Sequence, residues 1–342
     1  MTSAGVKPIA VTMGEPAGIA PDITLQAWLS LRTKHPQGFF VIGDVRVLKA
    51  RAFRLGLKVD FAAIENAAEA GHAFGKALPV LSREVAREPE PGSIEPANSK
   101  SVVGSIVDAV ELALEGKVSA VVTNPIQKKV LYGQGFEHTG HTDFIAALVR
   151  ARGLVAEPVM MLAAPGLRTV PLTVHIPLRE VAQALSIEGI VRQVRVVNAD
   201  LRRYFGINSP RIAVTGLNPH SGEGGALGGE EQSIISPAIE ALAKEGVRVA
   251  GPLPADSVFH AEARAHFDVV VCMFHDQALI PVKTIGFHEG VNATLGLPIV
   301  RTSPDHGTAL SLAGSGKANP TSLICAIELA AAMAEHARQQ PQ

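Results

Sequence analysis

Seven short runs of β-branched and other apolar residues, several separated by stretches of helical periodicity, restrict this chain to an α/β architecture. They fall at residues 9–12, 39–42, 120–123, 159–162, 172–174, 212–215 and 269–272. Runs this apolar suit strands covered on both faces, as in a parallel sheet. Between them, residues 101–115 place Val102, Ile106, Val110 and Leu114 on one helical face. Residues 238–245 and 320–336 read similarly, the latter with Asn319 as a cap and Pro320 at the first helical position. The Pro-rich stretch 88–96 (EPEPGSIEP) reads as a surface connection. A length of 342 residues fits two domains or one large unit. With 47% hydrophobic and 18% charged residues there is ample material for a core.

The formal net charge of -1 and the lack of like-charge runs argue against nucleic acid or an anionic membrane as partner. The two cysteines, Cys272 and Cys325, sit in separate apolar segments and make neither a disulfide framework nor a zinc-finger pattern. No long apolar stretch follows the first basic residue, so no signal peptide is read. No apolar run approaches the roughly 20 residues of a membrane helix. These features lead us to expect a cytoplasmic enzyme.

Polar residues stand where strands end. Gly14, Glu15, Asp44, Asn124, His175, His220 and His275 all follow apolar runs, and open α/β sheets bind ligands at the carboxyl ends of their strands. Of the twelve histidines, His35, His72, His260, His266, His288 and His336 read as surface or structural residues. His175 (LTVH), His220 (GLNPH) and His275 (VVVCMFH) share the strand-end context. Three neutral imidazoles would make a site for zinc or another divalent ion, with positions open to a substrate oxygen.

Residues 220–231 (HSGEGGALGGEE) contain five glycines ahead of a predicted helix. They read either as an anion-binding loop or as a flexible active-site loop that holds no phosphate. Lys283 and Arg301, with Asn292 between them, lie in apolar, glycine-rich sequence and would suit a carboxylate and a phosphate. His141 and Thr142 open a predicted helix, with Asp143 in its first turn. The turn 14–22 (GEPAGIAPD) has the wrong spacing for GxGxxG, which disfavours a Rossmann site.

Residues 306–320 (HGTALSLAGSGKANP) instead resemble the cofactor loop of the isocitrate and isopropylmalate dehydrogenases, which bind NAD(P) without that motif. Beyond this local likeness, eight ordered blocks resemble the 4-hydroxythreonine-4-phosphate dehydrogenase (PdxA) family: 14–22, 123–128 (TNPIQK), 140–144 (GHTDF), 216–225 (GLNPHSGEGG), 251–256 (GPLPAD), 275–277 (HDQ), 290–298 (GVNATLGLP) and 301–318 (RTSPDHGTALSLAGSGKA). Two departures are mild: Ala20 where the family has glycine, and Asp143 for a frequent Glu.

The resemblance implies His175, His220 and His275 as ligands of one divalent metal (zinc, magnesium or cobalt). It implies His141, Thr142, Lys283, Asn292 and Arg301 as substrate-binding residues, and His306, Gly307, Gly314, Gly316 and Asn319 around NAD or NADP. It further implies a homodimer with the active site at the subunit interface, both chains contributing. The implied reaction is oxidation of 4-phosphooxy-L-threonine, a small phosphorylated amino acid, at its 3-hydroxyl. Loss of CO2 then gives 3-amino-2-oxopropyl phosphate for vitamin B6 synthesis. Lys283, Asp256 and Asp276 are all candidates for the general base.

Close rivals are dehydrogenases of 4-phospho-D-threonate or 4-phospho-D-erythronate; more distant ones are a phosphate acyltransferase and a non-catalytic metal binder. The expected fold is isocitrate/isopropylmalate dehydrogenase-like, two α/β domains with the site in the cleft between them. Residues 1–125 with 285–342 would form the cofactor side, and 126–284 the metal, substrate and dimer side.

Overall fold

Strand and helix alternate as expected in the computed structural model, which describes residues 6–35, 37–133, 135–138 and 140–339. The chain divides into two compact units, Met1–Pro158 with Leu297–Glu335 and Val159–Gly296 with His336–Gln342. With strands numbered in chain order, the first unit holds β1 (Ile9–Thr12), β2 (Phe39–Gly43), β3 (Phe61–Ile64), β4 (Leu78–Ser82), β5 (Ala120–Val122) and β12 (Arg301–Pro304). They lie side by side as β3-β4-β2-β1-β5-β12, and every neighbouring pair is parallel. Residue Ile9 pairs with Phe39 on one side and Ala120 on the other. From β1 the chain turns one way to β2 and later returns on the opposite side as β5. The carboxyl ends of β1 and β5 are therefore a topological switch point, where such sheets open a crevice.

Every residue of β1, β2 and β5 is buried, which explains their unbroken apolar runs. The helix Val45–Arg54 starts where Asp44 accepts a hydrogen bond from Arg46 N at 2.8 Å. The same carboxylate accepts from Val85 N at 3.0 Å, which ties the helix start to the chain after β4. The helix Ser99–Leu114 buries Val102, Ile106 and Val110, at about 1.5–3 kcal/mol per buried aliphatic side chain.

The second unit holds β6 (Val159–Ala164), β7 (Leu167–Thr173), β8 (Ile212–Thr215), β9 (Val249–Leu253), β10 (Val269–Phe274) and β11 (Val291–Leu295). Their order is β11-β6-β7-β10-β8-β9. The pairs β11/β6 and β6/β7 are antiparallel, whereas β7, β10, β8 and β9 run parallel. The helix Ile187–Phe205 begins with Ser186 Oγ accepting from Gly189 N at 3.0 Å and ends at Gly206, φ 66°.

Three segments fall in a different unit from the one expected, one of them being His336–Gln342, which groups with the second. Residues 126–158 belong to the first, because Phe144, Ile145 and Val149 of the helix His141–Ala151 pack into the core containing Val102 and Ile106. Residues 285–296 stay with the second, because β11 is hydrogen-bonded along β6. Among the described residues no helix is long and apolar enough to cross a membrane.

Candidate active site

In the first unit, Gly14 (φ 68°) turns the chain out of β1, and a Cβ there would lie 2.6 Å from the Asn124 Cβ and 3.0 Å from the Pro125 carbonyl. Only glycine allows so close a crossing at that φ. Asn124, just past β5, donates from Nδ2 to Thr12 O (3.0 Å) and Thr24 Oγ1 (2.9 Å). Its own Oδ1 is buried with no hydrogen-bond partner. Glu15 is 5% exposed, and burial raises its carboxyl above the usual range despite the Ala17 amide.

Arg301 opens β12 and is 2% exposed. Burial pushes its guanidinium down to about 9. Its Nη2 donates to the Thr123 hydroxyl at 2.6 Å. His141 is the first residue of the helix His141–Ala151, with Thr142 beside it and Asp143 in the first turn. Burial, then the charges of Arg301 and Lys128, hold its imidazole well below the ordinary value, so it stays neutral. Its Nε2 is buried with no hydrogen-bond partner. A buried guanidinium, a nearby lysine and a helix N-terminus together attract a small anion.

In the second unit, His175 lies two residues past β7, and His275 is the first residue after β10. These strands are neighbours, with Thr173 opposite Phe274. The two rings lie 5.9 Å apart, centroid to centroid. His275 Nδ1 is 2.7 Å from Asp276 Oδ1. With the proton on Nδ1, Nε2 is left for a ligand, the usual carboxylate–histidine–metal arrangement. His220 follows β8, the other neighbour of β10. It is exposed, in a left-handed turn with φ 51°. Among the described residues no three His, Cys, Asp or Glu side chains come close enough to hold a metal together. The pair His175 and His275 fits a divalent ion as two of its donors, and the set needs another.

The left-handed turn runs through His220, Ser221, Gly222, Glu223 and Gly224. Three non-glycine residues there cost roughly 1–2 kcal/mol each. What holds the turn is Glu231, 3% exposed, which accepts from Leu217 N (2.8 Å), Asn218 N (2.7 Å) and Asn218 Nδ2 (3.0 Å). Burial raises this carboxyl, but the Asn218 and Leu217 donors outweigh it and hold it below the usual range. Cβ atoms on Gly222 and Gly216 would approach its oxygens to 2.6 and 3.0 Å. These two glycines wrap a carboxylate of the chain itself, and Gly222 belongs to the segment 220–231 that reads from sequence as either an anion-binding or a flexible loop.

Gln277 is a second residue whose part was not read. Its Oε1 accepts from Thr215 Oγ1 (3.0 Å) and Met273 N (2.9 Å), and its Nε2 donates to Gly216 O (3.0 Å), bracing the ends of β8 and β10. Asp256 and Asp276 line a cavity of about 400 Å³ walled by Phe259, Phe274, Ile280 and Pro281. Lys283 is in the last turn of the helix His275–Ile285, its Nζ 5.7 Å from the Phe287 ring centroid. Asn292 lies on β11 opposite Leu162, with Oδ1 buried and without a hydrogen-bond partner.

The loop 306–319 returns to the first unit. Its Thr308 carbonyl accepts from Ile19 N at 3.0 Å. Gly307 and Gly316 (φ 74°) have open space where a side chain would stand, so an exposed glycine-rich backbone suits a dinucleotide's phosphates. His306 Nδ1 lies 3.0 Å from the Gly307 carbonyl. Asn319 Oδ1 accepts from Thr321 N at 3.0 Å and so caps the helix Thr321–Gln339.

A buried guanidinium hydrogen-bonded to Thr123 just past β5, acting on a buried neutral imidazole, suits a small anionic ligand and is in keeping with an α/β enzyme. The particular family follows from comparison. A family model described as pyridoxal phosphate biosynthetic protein PdxA matches residues 35–330, and the chain belongs to this family. It is 49% identical over 342 residues to a 4-hydroxythreonine-4-phosphate dehydrogenase of Bradyrhizobium diazoefficiens, covering 98% of this chain and 99% of the relative. A crystal structure of 4-hydroxythreonine-4-phosphate dehydrogenase from Klebsiella pneumoniae superposes with TM-score 0.85 at 36% identity, covering 96% of this chain and 99% of that one. A terephthalate 1,2-cis-dihydrodioldehydrogenase from Burkholderia xenovorans is more distant, at TM-score 0.64 and 26% identity, covering 95% and 98%.

Proposed function

We propose that the chain oxidises 4-phosphooxy-L-threonine at its 3-hydroxyl with NAD+ or NADP+, after which CO2 is lost to give 3-amino-2-oxopropyl phosphate, a step of pyridoxine 5'-phosphate synthesis. The observation that carries this reading is the cluster of buried Arg301 and Lys128, whose charges act on buried His141 at the start of the helix His141–Ala151, in a chain whose relatives are named for this reaction. The first half balances as alcohol plus NAD(P)+ giving ketone, NAD(P)H and one proton; in the second the bond between the carboxyl carbon and its neighbour breaks, CO2 leaves, and the electron pair passes into the enolate of the ketone, whose carbon then takes up one proton.

Arg301, His141 and Thr142 bind the substrate's anionic end, and Asn292 and Lys283 bind it through their polar tips. Neutral His141 can take or give a hydrogen bond without adding charge. His175, His220 and His275 would hold one divalent ion (zinc, magnesium or cobalt), with Asp276 orienting His275. When bound, the ion and the dinucleotide supply a Lewis acid at the 3-oxygen and an acceptor for the hydride. The loop 306–319 holds the dinucleotide. The hydroxyl proton leaves to Lys283, Asp256 or Asp276.

The working form is a homodimer. Around His175 the surface exposes Val174, Ile176 (40%) and Leu178 (70%), and the His275 helix and the turn beyond it expose Ile280 (62%) and Phe287 (68%). Apolar side chains concentrated beside a polar site suit burial against a second copy that completes the site. We place the reaction in the cytoplasm.

The test follows nicotinamide absorbance with 4-phosphooxy-L-threonine, before and after chelation and re-addition of zinc, magnesium or cobalt. Parallel assays contain 4-phospho-D-threonate and 4-phospho-D-erythronate. Metal-restored turnover of the L-threonine compound is expected. Turnover confined to a sugar-acid phosphate would remove the vitamin B6 assignment and leave the dehydrogenase reading.

A further inference from the structure

The turn 14–22 lacks the GxGxxG spacing of a dinucleotide site, yet it contains a fully buried acidic side chain. Asp22 is 0% exposed and forms an ion pair with Arg51, whose side chain is 2% exposed. Arg51 reaches across from the helix Val45–Arg54 and also donates from Nη1 to Gly18 O (2.9 Å) and from Nη2 to Pro16 O (3.2 Å). The guanidinium therefore clamps the turn to one oxygen of Asp22. The other oxygen, Oδ1, accepts from the backbone N–H of Gly314 at 2.8 Å. Gly314 belongs to the loop 306–319, some 290 residues further along the chain.

A second anchor holds the same loop. Ile19 N donates to Thr308 O at 3.0 Å, and a Cβ on Gly18 would stand 2.8 Å from that carbonyl. On the outer side of each anchor, Gly307, Ser315 and Gly316 remain exposed. A buried ion pair is seldom retained for stability alone, since apolar residues of similar size commonly serve as well. Its distinctive product here is a charge-assisted hydrogen bond that fixes one glycine amide of an otherwise exposed loop.

We propose that Asp22 and Arg51 are positioning residues for the dinucleotide, holding the loop 306–319 in its binding shape before the ligand arrives. The inference rests on the proposed role of that loop. A glycine-rich loop ordered only on binding would charge its ordering entropy against affinity, at about 1–2 kcal/mol per residue fixed. Two fixed points leave fewer residues to order.

The test uses the full chain. In D22N/R51M both charges are removed together, so no lone buried charge remains; D22N is the second variant. NAD+ dissociation constants are measured by titration calorimetry without substrate. Hydrogen exchange of peptides spanning 306–319 is followed in the ligand-free protein, and G316V serves as a direct probe of the loop. We expect the double variant to raise the NAD+ dissociation constant about tenfold and to speed exchange in 306–319, while the KM for the phosphorylated substrate moves far less than the KM for NAD+. If G316V weakens NAD+ binding and neither Asp22 variant does, the positioning role is wrong and the loop assignment stands. If G316V leaves NAD+ binding unchanged, the loop assignment is wrong and the positioning role goes with it.

Discussion

His175 and His275 approach to 5.9 Å between ring centroids because β7 and β10 run parallel in register, with Thr173 opposite Phe274. The pair is made by sheet topology, 100 residues apart in sequence, with no local HxxxH spacing to announce it. Imidazoles at neighbouring strand ends can offer two nitrogens to a metal, and a proton held on His275 Nδ1 toward Asp276 would leave its Nε2 for the ligand.

From this pairing, His175→Gln and His275→Gln should each lower metal content of the purified protein at least tenfold, and His220→Gln should do the same. Metal analysis after dialysis against trace zinc measures it. Asp276→Asn should cost a further, smaller factor, about 10-fold in affinity. Full metal retention by the His175 or His275 variant would remove the pair from the site.

Arg301 has a different vulnerability. Its guanidinium is buried and donates to Thr123, so an anionic substrate would gain a nearly unscreened charge. Arg301→Met should reduce kcat/KM for the phosphorylated substrate by about 100-fold or more, corresponding to roughly 3 kcal/mol. Arg301→Lys should recover little, because a compact ammonium cannot reproduce the planar fork. Steady-state kinetics with varied substrate at saturating NAD+ decide the matter; an unchanged kcat/KM in the Met variant would place the anion elsewhere.

Asp200 predicts a pH effect on stability. It is 7% exposed on the helix Ile187–Phe205, and burial pushes its carboxyl up to about 6, against the pull of the Gly296 N–H at 2.6 Å and of Arg203. Below about pH 4 both folded and unfolded chains carry the proton. As pH rises from there to about 6, the unfolded chain ionises first and stability falls. Above about 6 the penalty is complete, at roughly 3 kcal/mol. Asp200→Asn should therefore melt higher than the parent at pH 8 and lose that advantage toward pH 4. Melting temperatures across this range test it; a constant difference between the two proteins would count against the buried-acid account.

The sequence read well where burial is simple. The runs at 9–12, 212–215 and 269–272 are strands, and Asn319 is the cap it was expected to be. Strands β3, β4, β9, β11 and β12 are not legible as runs: LPVLS, VAGPL, VNATL and RTSP carry proline, glycine or polar residues that obscure period-2 alternation, and FAAI is short and half alanine. Arg301 stands out by its charge in apolar, glycine-rich sequence, and His141 by its place at a predicted helix start. Asn124 and Gln277 serve through hydrogen bonds to backbone distant in sequence, and no one-dimensional spacing encodes those. Burial decides the charge state of His141, and burial is a property of packing.

Glu231 is the clearest case of a functional part hidden in a loop that looks merely flexible. Its carboxylate gathers the Leu217 and Asn218 amides and sits where Gly216 and Gly222 leave room. The left-handed turn carrying His220 is thereby held against its own backbone preference. Removing the charge while keeping the shape, as in Glu231→Gln, should weaken these hydrogen bonds and put one amide N–H group in conflict with the donors already there. The turn should relax toward ordinary φ values, with metal affinity about tenfold weaker although Glu231 is no ligand, and with hydrogen exchange in 217–231 accelerated. Metal titration and exchange on the same sample test the coupling. Faster exchange with unchanged metal affinity would show that the turn's strain is unrelated to metal binding by His220.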